Sequence, residues 1–257
     1  LFYLVEIYLI FNKDLLFNEN KKKLNRFSKN LNSKDFDFRS SYEVLVDYRK
    51  QGFDPVLTIG PTNFLNSNDN IFPLSGISNK LTICCNELGY YMVYKSDRYG
   101  FNNPDEVWDL EEIDYLIIGD SYVHGQAVNR PDDISSVLRK RYKVINIGYS
   151  GTGALIQYAS LKEYFKKTKN VLWFFSEFGD LDDLKNELNN DQLIKYLDNN
   201  YSQNLKLRHK EIDAKLNKFL LNFISYQEKL RDVPQDKFLW IKQTIKLYKT
   251  RVLIKNF

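Results

Sequence analysis

Cysteine and histidine are nearly missing from this sequence, with two of each in 257 residues. Cys84 and Cys85 are neighbours, and vicinal cysteines bridge only with strain, so a disulfide framework is excluded. No spaced cysteine and histidine set exists to hold zinc. Chemistry that needs a histidine base must use His124, His209 or a residue this sequence does not contain. An excess of one charge is missing too: 37 basic and 33 acidic residues leave a net charge of +4 with the lysines and arginines scattered. Nothing therefore demands nucleic acid, and none is expected as a partner. The opening run Leu1 to Phe11 is apolar except for Glu6, yet as a helix it reaches only about 16 Å against a hydrocarbon thickness of roughly 30 Å. It reads either as a buried strand or helix, or as the remnant of a membrane anchor over residues 1–12. A cleaved signal peptide fits poorly, because cleavage removes the apolar stretch. Lys21, Lys22 and Lys23 read as a solvated loop.

What is present is ordinary for a folded chain: 43% hydrophobic and 27% charged residues, on a length that suits one or two domains at roughly 150 residues each. Residues 13–38 are rich in Asn, Lys and Ser and read as a linker. Ser40 with Glu43 forms a capping box, Val44, Leu45 and Tyr48 supply an apolar face, and Gly52 with Pro55 stops the helix. Short strands and ordered loops are expected over 53–108. From residue 113 three compact apolar runs appear, Tyr115 to Ile118, Val144 to Ile147 and Val171 to Phe175. Helix patterns over Pro131 to Arg141 and Ala154 to Lys166 separate them. That alternation predicts an α/β fold, a parallel sheet covered by helices on both faces. Two further stripes at helical spacing, Ile212 to Ile224 and Phe238 to Leu247, are expected to face a core, and Val252 to Ile254 begins what reads as a fourth strand.

Ligands of open parallel sheets bind beyond the carboxyl ends of the strands. There the first run leads into Gly119-Asp120-Ser121-Tyr122-Val123-His124-Gly125, the second into Asn146-Ile147-Gly148-Tyr149-Ser150-Gly151, and the third into Glu177-Phe178-Gly179-Asp180-Leu181. Three such blocks in this order resemble the SGNH, or GDSL, hydrolases, and Tyr94 to Trp108 is similar to the lead-in of their membrane-anchored bacterial members. The resemblance implies a three-layer α/β/α sandwich of flavodoxin-like type, and hydrolysis or transfer of an acyl group on an ester. It assigns Ser121 as nucleophile and the backbone amides of Ser121 and Gly151 as oxyanion donors, with Gly119, Asp120, Asn146 and Asp180 as motif support. A serine hydroxyl needs a base to take its proton, and the tetrahedral oxyanion needs fixed donors. No cofactor is implied. The expected partners are a small-molecule, glycan or lipid ester and, through the N-terminal segment, a membrane, with the catalytic domain outside the cytoplasm.

Two positions depart from the family pattern. The asparagine that usually precedes the third-block aspartate is Gly179, which has no side-chain donor; loss of one such donor costs about a hundred- to thousand-fold in rate. The Asp-x-x-His block that carries the family's base is absent. The expectation is therefore a fragment: residues 1–12 an anchor remnant, 13–110 a linker and extension, and 111–257 a partial hydrolase domain. The alternative is an inactive binding module of the same fold. His124 reads as a polar edge of the pocket or a substitute base, and His209 as a solvated helix residue. Ser121 has a bland alternative as a helix cap, and Gly151 as a turn glycine. Asp180, Asp182 and Asp183 read as a charged first helical turn rather than a metal site. The two cysteines read as inert thiols, and Tyr90, Tyr91 and Tyr94 as packing.

Overall fold

The structure, a computed structural model, describes residues 36–67, 69–176 and 179–232. The expected anchor over 1–12, most of the linker, the stripe at 238–247, the strand at 252–254, and Glu177 and Phe178 lie outside the described residues. The chain divides into two compact units, one of residues 1–38, 87–89 and 225–257, the other of 39–86 and 90–224. In the described part of the first, the Asp37 amide donates to the Gly89 carbonyl at 2.7 Å and the Phe36 and Phe38 rings pack at 4.8 Å.

The second unit begins with helix α1, Ser41–Lys50. Its capping box forms as the sequence predicts: the Glu43 amide donates to Ser40 Oγ at 3.2 Å and the Ser40 amide to Glu43 Oε2 at 2.7 Å. A small sheet follows, with β1 (Val56–Leu57) parallel to β2 (Leu81–Ile83), and β2 antiparallel to β3 (Val93–Lys95).

The second sheet is fully parallel. Its strands β4 (Ile113–Ile118), β5 (Val144–Asn146) and β6 (Thr168–Trp173) lie in the order β5-β4-β6. Leu116 pairs with Ile145 on one side and Val171 on the other. Between and after the strands run α2 (Ser121–His124), α3 (Ile134–Arg139), α4 (Ala154–Tyr164), α5 (Gly179–Glu187), α6 (Asp191–Ile194) and α7 (His209–Asp232). Successive strand residues point to opposite faces, and here they enter different apolar clusters. Ile117 packs with Val144 and Val123, flanked by Leu138 and Leu172. Leu116 and Ile118 join Ile145, Leu155, Ile156, Ala159 and Tyr164. The protein is thus mixed α/β, with a small parallel sheet and accompanying helices. The stripe Ile212, Leu216, Leu220 and Ile224 of α7 is buried in the larger cluster, as expected from its spacing.

Residues 39–110, read from sequence as part of an extension, share that cluster: Leu45, Ile83, Phe101 and Trp108 belong to it with Leu116 and Ile145. The join is polar as well. Asp97 is fully buried and accepts from the Tyr99 and Phe101 amides, Asn103 Nδ2 and Trp108 Nε1 at 2.7–2.9 Å. Asn103 in turn bonds both the carbonyl and the amide of Asn146, at 2.7 and 2.9 Å. The lead-in loop is therefore hydrogen-bonded to the last residue of β5. Among the described residues no helix is long and apolar enough to cross a membrane.

Candidate active site

The site lies where β4, β5 and β6 end. After β4, Gly119 is required sterically: a Cβ there would meet Val123 Cγ2 at 2.5 Å and the Phe174 carbonyl at 3.0 Å. Asp120 then caps α2, accepting the Tyr122 amide at 2.9 Å. Ser121 is the first residue of α2 and is half-buried. Its Oγ has no hydrogen bond among the described residues, so it is not the helix-capping group; Asp120 is.

Asn146 at the end of β5 is fully buried and binds the first two blocks together. Its Nδ2 donates to the Val123 carbonyl at 2.6 Å, and its Oδ1 accepts the Gly148 amide at 2.8 Å. The loop that follows packs on Gly119, whose carbonyl accepts the Tyr149 amide at 3.2 Å. Gly151 is exposed with φ 72°, a left-handed conformation that costs an L-residue about 1–2 kcal/mol. Neither the Ser121 nor the Gly151 amide has an acceptor among the described residues. Two N–H groups after adjoining strands thus have no partner among the described residues.

The third block joins through Gln157, which the sequence reading missed. This buried side chain donates from Nε2 to the Thr152 carbonyl and to Asp180 Oδ1, both at 3.0 Å, and accepts Trp173 Nε1 at 2.6 Å. Asp180 Oδ2 also accepts the Ser176 amide at 2.7 Å. Burial, with the Asp120 charge as a smaller contributor, pushes the Asp180 carboxyl above the usual range. Asp180 therefore ties the third block to Gln157 and Ser176, and with Asp182, though not Asp183, it lies in the first turn of α5. Gly179 lies in α5 with its amide 3.4 Å from Ser176 Oγ. It presents no side-chain donor, and among the described residues an added Cβ would make only ordinary contacts to Ser176. Among the described residues no group of three acidic, cysteine or histidine side chains is placed to hold a metal ion.

Glu187, also missed from sequence, is fully buried at the end of α5 and caps α4. Its carboxylate accepts the Gly153, Leu155 and Ile156 amides at 2.6, 2.9 and 3.2 Å. Burial raises its pKa against the opposing pull of those amides. The polar signal was present in the sequence, but nothing local ties residue 187 to residue 153.

The histidines differ from expectation. His124 is fully buried and stacked on Tyr149 at 4.6 Å, so it is no exposed edge of a pocket. Its Nδ1 lies 2.7 Å from Ser150 Oγ and its Nε2 2.8 Å from Tyr94 Oη, leaving neither nitrogen for Ser121. Burial pulls its pKa from 6.5 down to about 3. His209, expected in solvent, is half-buried against Tyr99 and Tyr164, with Nδ1 buried and unpaired and a pKa pulled down to about 4 by burial. Cys84 and Cys85 are half-buried, and Tyr94 is a core residue.

The arrangement offers a serine hydroxyl and two amides without partners after adjoining strands, with no histidine nitrogen bonded to that hydroxyl among the described residues. No known protein family, curated protein or solved structure matches the chain.

Proposed function

We propose that this chain carries an SGNH-type site for hydrolysis or transfer of an acyl group on an ester, with Ser121 as nucleophile and the amides of Ser121 and Gly151 as the oxyanion hole. The observation that carries the reading is that the Ser121 and Gly151 amides and the Ser121 hydroxyl have no partner among the described residues and follow adjoining strands of a parallel sheet. A three-layer sandwich is the matching finer fold. It is supported by the separate clusters on alternate residues of β4 and by successive crossovers in opposite directions, which right-handed connections place on opposite faces. The ester is a small molecule, glycan or lipid, and an anchoring role for the N-terminal segment completes the proposal.

The base is the open position. Because both nitrogens of His124 are engaged elsewhere, a second reading, an inactive binding module of this fold, has an observation in its favour. Hydrolysis of a short-chain ester with imidazole supplied as external base separates the two. Turnover lost in Ser121→Ala supports the Ser121 site; no turnover above the imidazole background in either protein supports the binding module.

A further inference from the structure

Ser121 has no base among the described residues, whereas one loop away a serine and a histidine lie within hydrogen-bond distance. We propose that Ser150, with His124 as base and Tyr94 orienting that base, is a second acyl-accepting nucleophile of this protein. Ser150 sits on the connection between β5 and α4, two residues after Gly148, in a strand-turn-helix setting that presents a side chain at the sheet's carboxyl edge. It is half-buried, and the next residue, Gly151, is exposed with an amide that has no acceptor among the described residues. The chain Ser150 Oγ, His124 Nδ1 at 2.7 Å, His124 Nε2 and Tyr94 Oη at 2.8 Å joins nucleophile, base and orienting group. Such constellations are recognised by geometry and role, whatever their order in sequence.

Ser150 Oγ donates to Gln126 Oε1 at 3.0 Å and lies 2.7 Å from His124 Nδ1, where the direction follows the tautomer. In the tautomer with Nδ1 unprotonated the hydroxyl turns to the histidine, and Nε2–H donates to the Tyr94 oxygen. Burial keeps His124 neutral, and its low basicity predicts slow turnover. In the reaction Ser150 Oγ bonds to the acyl carbon of an ester as its proton passes to His124 Nδ1. The Gly151 amide holds the tetrahedral oxyanion, and the alcohol leaves with the proton returned by His124. Water, deprotonated in the same way, then releases the carboxylic acid from Ser150.

The test is to treat the full chain with a fluorophosphonate ester and locate the adduct by peptide mass spectrometry. Attack by Ser150 displaces fluoride and leaves a stable phosphonyl serine. The expected result is an adduct on Ser150 that forms in the folded chain, is absent after unfolding in urea, and slows about tenfold or more in His124→Gln and in Tyr94→Phe. Tyr94→Phe keeps the ring and its packing, so the dependence is readable even where the histidine variant fails to fold. Absence of a Ser150 adduct, or a rate unchanged by both substitutions, overturns the proposal. An adduct confined to Ser121 overturns it while leaving the Ser121 reading standing, and a Ser150 adduct beside an inert Ser121 does the reverse.

Discussion

Acidification should destabilise this protein through one ring, and the size of the effect follows from where that ring sits. His124 is fully buried, and its pKa in the folded chain is about 3 against 6.5 for the ordinary group. Below pH 6.5 the unfolded chain takes up a proton that the folded chain refuses, so stability is lost as pH falls from about 6.5 and stops changing below about 3. Two pH units below 6.5, at pH 4.5, the loss attributable to His124 is about 3 kcal/mol at 1.36 kcal/mol per unit. His209 adds a loss of the same sign. Asp97 opposes both, because burial pushes its carboxyl up to about 6 and the folded chain then holds the proton more tightly than the unfolded one. These two contributions remain in His124→Gln, so they cancel in a comparison of the two proteins. Urea unfolding at pH 7 and pH 4.5 measures it. The wild type should lose about 3 kcal/mol more than the variant over that interval. Equal losses in the two proteins would refute the placement of a neutral, buried imidazole at this position.

Gly179→Asn should fold normally, since among the described residues the added Cβ meets only Ser176, at contact distance. In the imidazole-supplied ester assay it should raise turnover by about tenfold or more by restoring a side-chain donor; no change would mean another group already donates there. Glu187→Leu removes the acceptor of three buried amides at the start of α4 and should lower stability by about 3 kcal/mol in denaturant titration. Gly151→Ala should cost about 1–2 kcal/mol from its positive φ, and it should abolish Ser121-dependent turnover by placing a methyl 3.3 Å from Thr62 Oγ1 beside the free amide. Stability retained with turnover unchanged would remove Gly151 from the oxyanion hole.

Local features were legible. The Ser40 and Glu43 capping box forms, the three strands appear at their apolar runs, and the α7 stripe faces the core, because each depends on neighbours within one helical turn or one strand. Strand boundaries moved where pairing decided them: β6 begins at Thr168, since its partner β4 begins at Ile113 and the register pairs those two residues. The blocks carrying Ser121, Gly151 and Gly179 were readable because each follows a strand, and a parallel sheet gathers its strand ends on one edge.

Side chains that work across long separations were not legible. Gln157 reaches Asp180, Glu187 reaches the α4 amides, and Asn103 holds the end of β5, each across more than twenty residues. His124 shows the difference most clearly. The sequence by itself determined that it lies three residues beyond Ser121 at the end of a strand, and that a helical turn separates them. Only the tertiary structure decided that the ring turns inward, stacks on Tyr149 and bonds Ser150 and Tyr94. Spacing along a helix sets a side chain's direction relative to its own backbone; what meets it there, and how dry that place is, comes from the segments that fold over it.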